Sequence, residues 1–196
     1  MTQQAKLVVM ISGSGSNLQA LINAIEADRL SAKIIHVISN RPDAYGLTRA
    51  VQHDIPTSVM PHAKDRADYD ARLGRFVAGL SPNWVILAGW MRVLSMNFLQ
   101  HFPNRVVNLH PALPGQFAGT HAIERAFEAY QRGEIDHTGI MVHLVPDEGV
   151  DDGPVLATQI VPISPDDTLE TLEAHIHAAE HKLLVETVDN LIKQVD

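Results

Sequence analysis

Leu7 to Ile11 is an unbroken apolar run (LVVMI) that ends in SGSGSN, after which Leu18, Leu21, Ile22 and Ile25 recur at helical spacing. That order predicts a strand, a glycine loop and a helix. The pattern repeats. IIHVIS (Ile34 to Ser39) reads as a second strand, Asn40, Arg41 and Pro42 as turn punctuation, and Tyr45 to His53 as a helix, with a short third strand over Thr57 to Met60. Leu73, Phe76, Val77 and Leu80 form the i, i+3, i+4, i+7 stripe of an amphipathic helix that Pro82 ends. WVILAG (Trp84 to Gly89) and Arg105 to Leu109 follow as strands. Strands that are apolar throughout need cover on both faces, so these units predict an α/β fold: a mainly parallel sheet with helices on both sides. Ligands of such sheets sit beyond the carboxyl ends of the strands.

The second half changes character. After a helix near Thr120 to Gln131, Ile140, Val142 and Leu144 alternate with other residues along Thr138 to Val145, and Val155 to Ile163 returns after the single turn PDEGVDDG. Two strands so close in sequence predict an antiparallel addition to the sheet. From Thr168 onward, Leu169, Leu172, Ile176, Ala179 and Leu183 mark a terminal amphipathic helix. With 196 residues and no repeat or low-complexity linker, the chain reads as one domain, 1–196.

Composition narrows the partners. A net charge of −8 with no basic run argues against nucleic acid, whose binding needs clustered Lys and Arg, yet it leaves a single phosphate open to local amides. Cysteine is absent, which excludes disulfides and thiolate chemistry. No apolar run approaches the roughly 20 residues of a membrane span, and MTQQA lacks a signal pattern, so the expected location is cytoplasmic.

Chemistry concentrates in three places. In SGSGSN, the amides of Gly15, Ser16 and Asn17 would open a helix N-terminus where one phosphate is favoured; the spacing matches neither a dinucleotide site nor a P-loop. The plain alternative is a strand-to-helix turn capped by Ser. In NLHP, Asn108 and His110 stand two apart at a strand end and share a face, while Pro111 turns the chain out of the sheet. The alternative there is a buried histidine bonded to a carbonyl. Asp151 lies in the acidic turn, which alone would read as a solvated loop. An amide, an imidazole and a carboxylate together can hold an oxyanion and move a proton without a covalent nucleophile. His177 and His181, one helical turn apart, lack a third ligand, so no metal is expected, and no GxSxG elbow supports serine hydrolysis.

In chain order, SGSGSN, LAGWMRVLS (Leu87 to Ser95), NLHPALPG (Asn108 to Gly115), HTGIMVHLVPDEGVDDGPV and the final AEH resemble the glycinamide ribonucleotide formyltransferases of purine synthesis, a branch of the folate-dependent formyltransferase family. The resemblance runs through nearly the whole chain and implies a Rossmann-like formyltransferase domain. It implies transfer of a formyl group from 10-formyltetrahydrofolate, as co-substrate, to the ribonucleotide's amine. It assigns Gly15, Ser16 and Asn17 to the substrate phosphate and Glu180 to the ribose. Arg66, Met91, Arg92, Val93 and Leu94, with Asn108, go to the folate, Arg66 facing its glutamate carboxylate or else the phosphate, and Asn108, His110 and Asp151 go to catalysis. On this reading Asp151 raises the pKa of His110, and Asn108 and a protonated His110 donate to the oxyanion, each worth about 2.7–4 kcal/mol in comparable sites. The partners are two small molecules, with a homodimer left open.

The family's HPSLLP stands here as HPALPG, and the 146–153 loop is about one residue longer than its short form, so neither the 111–121 nor the 146–153 loop can be drawn from the resemblance. His177 stands where the family carries a longer polar side chain near the ribose. Formyltetrahydrofolate hydrolases share the Asn, His and Asp but carry an N-terminal regulatory domain, and methionyl-tRNA formyltransferases carry a C-terminal nucleic-acid domain; neither extension is expected here. The rival from another class is a non-catalytic mononucleotide or folate-binding module.

Overall fold

The computed structural model describes residues 4–194. Seven strands form one sheet in the order β3-β2-β1-β4-β5-β6-β7. They are β1 (Ala5–Ile11), β2 (Ala32–Ser39), β3 (Thr57–Val59), β4 (Trp84–Leu87), β5 (Val106–His110), β6 (His137–Leu144) and β7 (Val155–Pro162). The first five are parallel; β6 runs antiparallel to β5, and β7 antiparallel to β6. The helices are α1 (Ser16–Glu26), α2 (Tyr45–Gln52), α3 (Arg66–Gly79), α4 (Met96–Leu99), α5 (Ala122–Gln131) and α6 (Leu169–Lys193). Among the described residues no helix is long and apolar enough to cross a membrane.

Strand alternation divides the core in two. Leu7, Val9 and Ile11 of β1, Ile86 of β4 and Val107 and Leu109 of β5 point to the side covered by α1 and α6. Val8, Met10, Val85, Leu87 and Val106 point to the other, where they pack against Tyr69, Leu73 and Val77 of α3 and Phe98 and Leu99 of α4. Each such side chain, fully buried, contributes about 1.5–3 kcal/mol. Beyond Val106 the second face turns polar: Asn108 and His110 of β5 and His143 of β6 occupy the same side. That polar end of the sheet is where chemistry can sit.

Local signals explain most boundaries. Asp65 caps α3 by accepting the Asp68 N–H, and Thr168 opens α6 in a capping box with Thr171. α4 has four residues, too few to generate a helical period, and the sequence pattern does not predict it. Phe76, expected in the α3 core stripe, is 36% exposed and meets His36 edge-on, because α3 turns that flank toward solvent. The expected helix from Thr120 begins at Ala122, since His121 adopts a left-handed φ of 57° before the first turn.

Candidate active site

β5 delivers Asn108 and His110 to the polar part of this sheet face, and β6 pairs His143 directly opposite Asn108. Asp151 reaches them from the β6–β7 connection, where its φ of 54° is a left-handed conformation that aspartate tolerates better than most residues. Two positions on, a Cβ at Gly153 would strike the Leu144 carbonyl, so the return of the turn requires glycine. The Asp-x-Gly spacing thus has a backbone cause.

The Asp151 carboxylate bridges the cluster. One oxygen accepts the Gly119 N–H at 2.8 Å and lies 3.3 Å from His110 Nδ1. The other accepts Asn108 Nδ2–H at 3.1 Å and lies 3.5 Å from His143 Nε2. His143 Nδ1 faces the Leu144 carbonyl at 2.9 Å and must donate to it, and in the tautomer with its proton on Nδ1 the Nε2 accepts from the Asn108 amide at 3.0 Å. Both hydrogens of that amide are therefore engaged inside the cluster. Asn108, expected as a ready oxyanion donor, must turn one of them outward to serve as such.

His110 is the second departure from expectation. Burial of its ring lowers its pKa, and the Asp151 charge and the Phe117 carbonyl only partly offset this, so the net shift is downward rather than up. The neutral imidazole is the resting form near pH 7. Its Nε2 meets the Phe117 carbonyl at 3.2 Å while Nδ1 faces Asp151, so both nitrogens confront acceptors and only the imidazolium satisfies both. For Asp151, burial pushes the carboxyl up, but the adjacent His143 ring, the Gly119 N–H and the nearby His110 outweigh it and hold it below the usual range. The pair is an anion beside a neutral base primed to accept a proton.

The 111–121 segment closes one side. Phe117 takes a left-handed φ of 45°, unusual for a bulky residue, and Arg125 holds this bend through the carbonyls of Phe117 and Ala118. His143, Gly119 and Arg125 all escaped the sequence reading. For His143 a signal existed, because it lies on the strand face opposite Ile140, Val142 and Leu144 and so shares the side of Asn108 once β5 and β6 pair antiparallel.

The glycine loop leaves the end of β1, which β4 separates from β5. Gly15 is left-handed (φ 71°) and precedes α1 with no side-chain cap, so the Ser-capped turn is not what forms and the first amides of the helix stay available. Asn17 Nδ2 donates to Glu180 Oε2 at 3.1 Å, and His177 Nδ1 meets the same oxygen at 3.0 Å. Both Asn17 and Glu180 are buried, while Asn17 Oδ1 has no partner. The hydrogen bond to Glu180 raises the His177 pKa. Among the described residues no group of three or more His, Asp or Glu side chains is arranged to hold a metal ion.

The segment after β4 joins the two halves. Ser12 Oγ accepts the Met91 N–H at 2.9 Å, and its own N–H donates to the Gly89 carbonyl at 3.0 Å. This is the crevice between β1 and β4, whose following helices cover opposite faces. Met91 (66%) and Val93 (42%) are exposed, whereas Leu94 is buried in the α3 and α4 core. Arg92 lies over the Tyr69 ring at 5.2 Å. Arg66 pairs with Glu148 at 3.1 Å, and Glu148 also accepts the Met96 N–H at 3.0 Å, so the loop carrying Asp151 is tied to the Met91 segment.

Similarity to known proteins agrees with this geometry. The Formyl transferase family model matches residues 5–188. The chain is 49% identical to the phosphoribosylglycinamide formyltransferase of Schizosaccharomyces pombe over 96% of its length and 97% of that protein. It is 45% identical to the enzyme of the same name from Dictyostelium discoideum over 93% and 95%. The solved phosphoribosylglycinamide formyltransferase from Bacillus halodurans superposes with a TM-score of 0.90 at 33% identity, covering 97% of both chains. A hydrogen-bonded Asn, His and Asp cluster, a glycine loop at the β1–β4 crevice and a match spanning almost every described element together make this chain a member of the formyl transferase family.

Proposed function

We propose that this chain, acting as a single formyltransferase domain over residues 1–196, transfers the formyl group of 10-formyltetrahydrofolate to the amine of glycinamide ribonucleotide, a step of de novo purine synthesis in the cytoplasm. One observation carries the reading. A single carboxylate, Asp151, links the Asn108 amide and the His110 imidazole on a sheet whose β1 ends in a glycine loop suited to one phosphate.

On this reading Gly15, Ser16 and Asn17 hold the phosphate at the start of α1, and Glu180 holds the ribose hydroxyls. Arg66, Met91, Arg92 and Val93 border the folate; Leu94 supports that wall from the core. As the amine attacks, a carbon–nitrogen bond forms and the carbonyl electron pair moves to oxygen. Neutral His110 takes the proton from the attacking nitrogen. The imidazolium so formed is stabilised by Asp151, and with one turned-out Asn108 N–H it donates to the oxyanion. On collapse, the bond from carbon to the folate nitrogen breaks and His110 returns the proton to that nitrogen. Resting neutrality of His110 suits this sequence, because a base that starts protonated could not receive the amine's proton. Positioning of the two reactants supplies a further share, about 7–11 kcal/mol in favourable cases.

The test is the rate of tetrahydrofolate release by the purified chain with and without glycinamide ribonucleotide. Release that requires the ribonucleotide, with formylated ribonucleotide formed in equal amount, is expected. Equal release in its absence would mean that water is the acceptor and the protein is a hydrolase. Tight binding of both molecules without turnover would make it a binding module.

A further inference from the structure

The phosphate reading leaves the loop itself unexplained, because a peptide segment offers an anion its carbonyls as readily as its amides. In this chain the carbonyls are held elsewhere by α2. The Gly46 N–H donates to the Gly13 carbonyl at 3.1 Å. The two backbones touch: a Cβ on Gly15 would lie 2.5 Å from Gly46 Cα, and one on Gly46 would lie 3.1 Å from Gly15 Cα. One turn along the helix, Arg49 donates Nε–H to the Ser14 carbonyl at 2.9 Å and Nη1–H to Gln19 Oε1 at 3.2 Å, with its guanidinium 4.9 Å from the Tyr45 ring centre. Arg49 also lines a cleft of about 470 Å³ shared with Ser16 of α1 and with His181 and Lys182 of α6.

We propose that Arg49 is a positioning residue for the substrate phosphate: from α2 it clamps the Ser14 carbonyl away from the anion and thereby turns the Gly15, Ser16 and Asn17 amides toward it. This rests on the reading that SGSGSN takes the phosphate. The fork of the guanidinium matters as much as its charge, since two acceptors in fixed directions are held at once while the ring of Tyr45 fixes its plane. In an acidic chain the same residue also keeps a positive charge at the edge of the cleft.

The test is a titration of inorganic phosphate into the full chain, followed on the amide resonances of Gly15, Ser16 and Asn17, with kcat and both KM values measured on the same preparations. In Arg49→Met the phosphate dissociation constant and the KM for the ribonucleotide are expected to rise about tenfold or more, as for loss of a charge-assisted hydrogen bond. The folate KM and kcat stay within about twofold, which a general structural defect would not allow. Arg49→Lys keeps the charge without the fork and should recover little of the binding. Full recovery by Lys, unchanged constants in the Met variant, or a uniform loss in every constant with a lowered Tm would each overturn the clamp. Phosphate binds whether or not formyl transfer occurs, so wild-type protein that binds it but shows no ribonucleotide-dependent turnover defeats the functional reading alone.

Discussion

His110→Ala is expected to lower kcat by about 10²–10⁴-fold, the range for removal of a positioned acid–base group, with little change in either KM. The His110 ring is almost fully buried, it faces Asp151 with one nitrogen and the Phe117 carbonyl with the other, and burial lowers its pKa. Neither neighbour is stranded by its loss. Arg125 still donates to Phe117, and Asp151 keeps the Gly119 and Asn108 hydrogen bonds. The fold should therefore lose no more than about 2 kcal/mol, mainly from the cavity left behind. Steady-state kinetics beside a thermal melt checks both halves; a variant that turns over at the wild-type rate would remove His110 from the mechanism.

Asp151→Asn is expected to cost a similar factor in kcat by another route. Asparagine suits the left-handed backbone at 151 and can still accept the Gly119 N–H, so the turn survives. Its amide then presents donors to an Asn108 amide that also donates, and the negative charge that would stabilise the imidazolium is gone. The His110 titration reports this directly. In the wild type its midpoint lies below the ordinary 6.5, and because Asp151 is the largest influence pulling it up, the substitution should lower it further. The stability consequence has a definite sign. With the folded pKa below the unfolded one, the unfolded chain binds more protons as pH drops, so the contribution of His110 is complete above about 6.5 and is lost as pH falls through the folded value. Proton NMR of the histidine ring follows the midpoint; a rise in the variant would contradict this account of the electrostatics. Because the two residues act as a unit, the double variant should fall little below either single one.

Much of this was legible in the residues. LVVMI, IIHVIS and WVILAG read as strands of a sheet covered on both faces, and the brief PDEGVDDG connection announced the antiparallel edge formed by β6 and β7. Asn108 and His110 were visible because a strand end followed by proline projects alternate residues into one crevice. What stayed hidden depends on tertiary placement. His143 becomes a partner of Asn108 only through the β5–β6 register. The resting charge of His110 is a contest between burial and a neighbouring anion, and a sequence displays the anion but not the depth of burial. Gly119, Arg125 and Glu148 act through loop geometry at left-handed residues such as Phe117 and Asp151, which no hydrophobic period encodes.

The most direct measurement is a crystal structure of the chain with glycinamide ribonucleotide and a formylfolate analogue that cannot react. The account predicts the analogue's carbonyl oxygen about 2.7–3.1 Å from Asn108 Nδ2 and from a His110 nitrogen, the ribonucleotide amine facing that carbon, and Asp151 still against the imidazole. A carbonyl held by other groups, with Asn108, His110 and Asp151 turned away from both ligands, would contradict it.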